Sequence, residues 1–94
     1  PTNKKKLDKL RIKLDRLDNE LLKLIKKRSN LVNDVLKVKI HKKEIIDQKR
    51  IKFILKKIKK KSKQLCIDPM ITNRIWKNMI WSFINYEKKN FKKK

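Results

Sequence analysis

The chain reads as an all-α protein of three helices, one very long and two shorter, that pairs with a second copy of itself. Three observations predict this. Neither Gly nor Pro interrupts residues 2 to 68, so nothing in that stretch stops a helix outright. Apolar residues recur at Leu7, Leu10, Leu14, Leu17, Leu21 and Leu24, then at Leu31, Val35 and Val38 beyond Arg28. That alternation of 3 and 4 is the seam of a helix packing on another helix. Asp68 followed by Pro69 pairs an N-cap with a first-turn proline, a strong start signal.

The first helix is expected over about residues 5–40. It would be about 54 Å long, whereas a domain of this size is about 30 Å across. The remaining residues of one chain cannot cover such a rod, and a second copy is the simplest cover. Charges at His41, Lys42, Lys43 and Glu44 break the pattern between residues 40 and 47. Asp47 is placed to cap a second helix, about 47–63, with the stripe Ile51, Ile54, Leu55 and Ile58. The run Lys59 to Lys63 is expected to fray or end it. The third helix, about 69–88, carries Ile71 with Met70, then Ile75, Trp76, Met79, Ile80 and Phe83. Lys92 to Lys94 read as a mobile tail. Residues 1–94 are expected to form one domain, and Pro1 in place of Met points to processing or excision.

Composition removes several chemistries. The 94 residues include no glycine, which excludes a P-loop, a dinucleotide fingerprint and a nucleophile elbow. One cysteine, Cys66, and one histidine, His41, exclude a disulfide framework, a zinc knuckle and a His-rich metal site. No apolar run reaches the ~20 residues of a membrane span. Asp8, Lys9, Arg11 and Lys13 stand where a signal peptide would be apolar. A soluble cytoplasmic chain is expected, with no membrane partner. The net charge of +22 invites nucleic acid, but the cations are overwhelmingly Lys. Arginine, the better bidentate ligand, is confined to Arg11, Arg16, Arg28, Arg50 and Arg74. The abundance of Lys, Ile and Asn matches AT-biased codon usage, so nucleic acid is not the expected partner.

Ionisable residues interrupt the apolar stripes. Arg28 takes a seam position between Leu24 and Leu31, where a lone buried guanidinium is costly. It snorkels outward, pairs with an acid such as Asp34, or awaits an anionic ligand. Lys39 follows 11 residues on; a continuous helix would turn it only about 20° from Arg28, about 16 Å along the axis. Arg11 precedes Arg28 by roughly 25 Å and is turned about 100° away, so one helix cannot bring both to a small ligand. An antiparallel partner helix can bring a second Arg11 toward Arg28. Glu87 continues the helix 3 stripe, either as a solvated last turn or as an interior carboxyl. Asp47 and Arg50 stand at the entry to helix 2. This set, without nucleophile, metal cluster or cofactor loop, suits a small polyanion and a reaction that needs only positioning and electrostatics.

In this order the residues resemble the all-helical chorismate mutases, in particular the N-terminal mutase domain of the bacterial bifunctional enzymes of phenylalanine and tyrosine synthesis. The resemblance spans residues 7 to 88 and is carried by Leu10-Arg11, Leu17-Asp18, Leu21-Leu22, Arg28, Leu31, Val35 through Lys37 to Lys39, Asp47, Arg50, Ile75-Trp76, Met79-Ile80 and Glu87. It implies an isomerase acting on chorismate without cofactor or metal, as an intertwined homodimer with two shared sites. By this resemblance Arg28 and the partner's Arg11 each clamp a substrate carboxylate. Lys39 donates to the ether oxygen and a nearby carboxylate, Asp47 meets the hydroxyl region, and Arg50 supports the charge network. Two departures imply a weaker hold on substrate: Ile51 where the family usually has Glu, and Phe83 where many members have Ser, with Ser82 one place early. The alternative is a non-enzymatic basic helical dimer that binds nucleic acid or a partner helix. It would need its cations in one exposed stripe instead of a pocket.

Glu87 fills a position where the family carries Gln or Glu, and a Glu donates to the ether oxygen only when protonated. Burial favours the protonated form and a neighbouring Lys39 the ionised one. Activity is therefore expected to fall as pH rises through the loss of that proton, and Glu87→Gln to flatten the profile. Turnover measured from acid to alkaline pH checks both; a flat wild-type profile that Glu87→Gln leaves unchanged refutes the role.

Overall fold

The computed structural model describes residues 3–92. The expectations for Pro1, and for Lys93 and Lys94 in the tail, lie outside them. The described chain is all-α: α1 (Lys4–Val38), a 3-10 turn at Lys42–Ile45, α2 (Gln48–Gln64) and α3 (Pro69–Asn90). It divides into two compact units, one ending at Leu31 and one starting at Val32.

The first unit is helix throughout its described length from Lys4. Its seam residues Leu10, Leu14, Leu17, Leu21, Leu24 and Leu31 are all exposed, Leu31 to 64%. An apolar row left this open in water is unfavourable by tens of cal/mol for each Å².

The second unit holds the core. Leu36, Ile45, Ile51, Ile80 and Ile84 are buried together, with Ile46, Ile54, Leu55, Trp76 and Phe91 packed against them. The α1 residue that enters this core is Leu36, whereas the seam residues Val35 and Val38 stay exposed. On α3 the buried face runs Thr72, Ile80, Ile84 and Glu87, with Trp76 half-buried. Ile71 and Ile75, expected on the inner stripe, are exposed. Each lies one residue before a residue of the inner line, Thr72 and Trp76, a rotation of about 100° that puts it on the flank of the helix.

Local chemistry sets the helix ends. Asp47 caps α2 by accepting the Arg50 backbone N–H at 3.0 Å, and Asp68 caps α3 by accepting that of Met70 at 3.0 Å, with Pro69 in the first turn. The Lys59 to Lys63 run stays helical, and α2 ends one residue beyond it, at Gln64. Its lysines point outward while Ser62, on the inner face, is buried. The Ser62 hydroxyl meets the Ile58 carbonyl at 2.7 Å and the Thr72 hydroxyl at 2.7 Å, tying α2 to α3.

A Schellman turn then closes α2: the Ile67 N–H donates to the Ser62 carbonyl at 2.8 Å and the Cys66 N–H to the Lys63 carbonyl at 3.2 Å. The residue that must go left-handed is Cys66, with φ 58°, because the chain has no glycine to put there. A Cβ in that conformation costs roughly 1–2 kcal/mol. Cys66→Gly should therefore raise stability by about 1 kcal/mol and the melting temperature by about 4 °C or more, whereas Cys66→Val should lower both. Thermal melting of the two variants checks this.

Candidate active site

Val38 is the last residue of α1, two short of the expected end at residue 40. The Lys39 N–H still donates to the Leu36 carbonyl at 3.3 Å, closing a final tight turn. By His41 the backbone is extended, with φ −114° and ψ 140°. Lys39 therefore lies just outside the helix. At this last step the turn, and not the helical period, sets the direction of the Lys39 backbone.

That turn is built by Glu44. Its carboxylate Oε2 accepts the Ile40 N–H at 3.3 Å, and its own N–H donates to the His41 carbonyl at 3.0 Å. The arrangement is close to a capping box, in which an acid three residues into a helix reaches back to the entering backbone. Ile45, only 3% exposed, seats the turn in the core.

From this position the Lys39 ammonium donates to Glu87 Oε1 at 3.3 Å and lies 3.5 Å from Oε2. The two side chains are 17% and 7% exposed. Glu87 stands on α3, one turn before its end at Asn90, yet it is as buried as the core isoleucines. Of its two readings from sequence, the interior carboxyl is the one that matches. Residues 48 apart in the chain are thus joined by a shielded charge-assisted hydrogen bond.

Asp47 and Lys39 line one shallow depression, together with Glu44, Ile46, Gln48 and Lys49. The Asp47 carboxylate already accepts the Arg50 backbone N–H. The Arg50 guanidinium turns elsewhere, lying 5.4 Å from the centre of the Phe53 ring. Ile51 is buried in the core, Phe83 is half-buried and Ser82 is exposed. Arg28 is half-buried and Arg11 exposed, both on α1 within the unit that ends at Leu31. Sequence reasoning passed over Glu44 and Lys49 as lining residues. Glu44 carried a usable signal, since it is the single acid between Asp34 and Asp47.

The depression is lined by two ammonium groups, Lys39 and Lys49, and two carboxyls, Glu44 and Asp47, with no Ser, Thr or Cys among the lining residues; a third carboxyl, Glu87, holds the Lys39 ammonium. Among the described residues no three His, Cys, Asp or Glu gather as a metal site. Such a set can stabilise charge that appears on a bound anion; it is not built for covalent attack.

The family described as chorismate mutase type II has a sequence model that matches residues 10–88. The chain belongs to this family. A chorismate mutase of Methanocaldococcus jannaschii is 37% identical over 76 residues, which cover 80% of this chain and 77% of that protein. No solved structure matches significantly. As a member of the chorismate mutase family the chain is an isomerase of aromatic amino acid biosynthesis, with chorismate as its substrate. Among the described residues no helix is long and apolar enough to cross a membrane.

The buried pair has a measurable consequence. Lys39→Met leaves the Glu87 carboxyl without its partner and should cost about 1–3 kcal/mol of stability. Adding Glu87→Met should recover most of that loss. Urea unfolding of the wild type, both single variants and the double variant measures the coupling, and additive losses would contradict it.

Proposed function

We propose that the rearrangement of chorismate to prephenate takes place in a cytoplasmic homodimer of this single mutase domain. Each of two equivalent sites is built mostly by one chain and completed by the partner's Arg11. The observation that carries this reading is the shielded contact of Lys39 with Glu87 at 3.3 Å, in a chain whose family performs that reaction. The exposed leucine row of α1 supports pairing with a second copy, which would remove it from water.

The reaction is unimolecular, so the protein has two tasks. It must hold the compact reactive conformer and neutralise charge on the ether oxygen as its bond to carbon breaks. Arg28 and the partner's Arg11 each take one substrate carboxylate in a fork of two hydrogen bonds. Lys39, satisfied by Glu87 in the ligand-free chain, donates instead to the ether oxygen and a nearby carboxylate. Glu87, in its protonated form, is a second donor to the same oxygen. Asp47 meets the hydroxyl region, and Arg50 supports carboxylate binding and the local charge network. Ile51 places an isobutyl-sized apolar group in the core, so it offers the substrate hydroxyl no hydrogen bond.

Loss of chorismate ultraviolet absorbance measures turnover directly. Arg11→Ala and Arg28→Ala should each be nearly inactive. When the two variants are unfolded together and refolded, half of the dimers are mixed, and each mixed dimer regains one intact site of two. The mixture should recover about a quarter of wild-type activity. Failure to recover any activity, from variants shown to mix, would refute the shared site; two fully active single variants would refute the arginine roles.

A further inference from the structure

Lys39 has a positional problem that its own helix does not solve. The helix ends at Val38, and a lysine placed one residue past a helix end has a backbone free to fray. The ammonium is nevertheless held at a single buried carboxyl. Something after Lys39 must hold the backbone from the other side.

Glu44 does this. The Ile40 N–H, immediately after Lys39, donates to Glu44 Oε2 at 3.3 Å. Glu44 is itself anchored by its N–H to the His41 carbonyl at 3.0 Å and by the burial of the adjoining Ile45. His41, at the entry to the 3-10 turn, makes no side-chain cap, so the carboxylate of Glu44 is the side chain that satisfies the entering backbone. The backbone of Lys39 is therefore pinned on both sides, by Leu36 before it and by Glu44 after it. Glu44 and Lys39 also line the same depression.

We propose that Glu44 is a positioning residue for Lys39: by accepting the Ile40 N–H it fixes the turn that aims the Lys39 ammonium into the site. This rests on the reading of Lys39 as a donor to the substrate. Glu44 does not touch the reacting atoms, and its requirement is for a hydrogen-bond acceptor at Oε2 and not for negative charge. A carboxylate beside a site for a dianion is electrostatically unhelpful, and its engagement by a backbone N–H explains its presence there.

The test compares Glu44→Gln, Glu44→Ala and Lys39→Ala by steady-state kinetics with chorismate, alongside thermal melting. A small misplacement of a catalytic donor lowers rate more than binding. Glu44→Ala should therefore lose roughly tenfold in kcat with KM little changed. Glu44→Gln, whose amide oxygen still accepts, should stay within about twofold of wild type. Full activity in Glu44→Ala, or a loss in Glu44→Gln as large as in Glu44→Ala, overturns the positioning role. A loss that appears only in KM overturns it as well. Lys39→Ala separates this from the broader reading. If it abolishes turnover while Glu44→Ala does not, the positioning role alone fails. If Lys39→Ala is fully active, the assignment of Lys39 falls and takes the positioning role with it.

Discussion

A carboxyl group buried on α3 has to be met by a cation, and that need organises the second unit. Glu87 is only 5% exposed, and an unpaired charge so buried is costly. Lys39 meets it at 3.3 Å, and to do so the chain must leave α1 at Val38, turn through Lys42–Ile45 and send α2 and α3 back along the core. The 3-10 turn, the burial of Ile45 and the cap at Asp47 all belong to that detour. A hydrophobic residue at position 87 would pack as well or better. Under the proposed function, the cost of the ion pair is that of a site that presents a donor to a developing oxyanion.

The same economy of parts appears at the helix ends. In a chain without glycine, the turn after α2 takes Cys66 into a left-handed conformation, and side-chain acids do the capping at Asp47, Asp68 and Glu44. Nine acidic residues against 31 cations leave few to spare. Four of them, Glu44, Asp47, Asp68 and Glu87, hold backbone or the buried ammonium in the second unit. Among the described residues, the lysines other than Lys39 are solvated surface.

The candidate site was partly legible beforehand. Glu87 stood out as a charge on an apolar stripe, and Lys39 as a cation at helical spacing from Arg28, but the contact between them was not derivable from either spacing. It depends on how far α1 runs and on which face of α3 turns inward. The inner face of α3 was misjudged at Ile71 and Ile75 for a physical reason. A helix rich in apolar residues on several sides gives no unique moment, and the buried hydroxyl pair Ser62 and Thr72 draws a polar line inward where an apolar one was expected. Glu44 escaped notice because it stands in a run of charges, where only its hydrogen bond to Ile40 distinguishes it.

Sequence alone determined the elements: three helices from uninterrupted apolar periodicity, their starts from Asp47 and Asp68-Pro69, and the family from the order of Arg11, Arg28, Lys39, Asp47, Arg50 and Glu87. These are local or one-dimensional properties, set by backbone sterics, capping and spacing along one helix. Only the tertiary structure decided that Leu36 and not Val35 enters the core, that Glu87 is interior and that Lys39 leaves its helix to reach it. Those outcomes turn on the burial of one face against another and on the demand that a buried carboxyl find its cation, and neither is a property of any single segment.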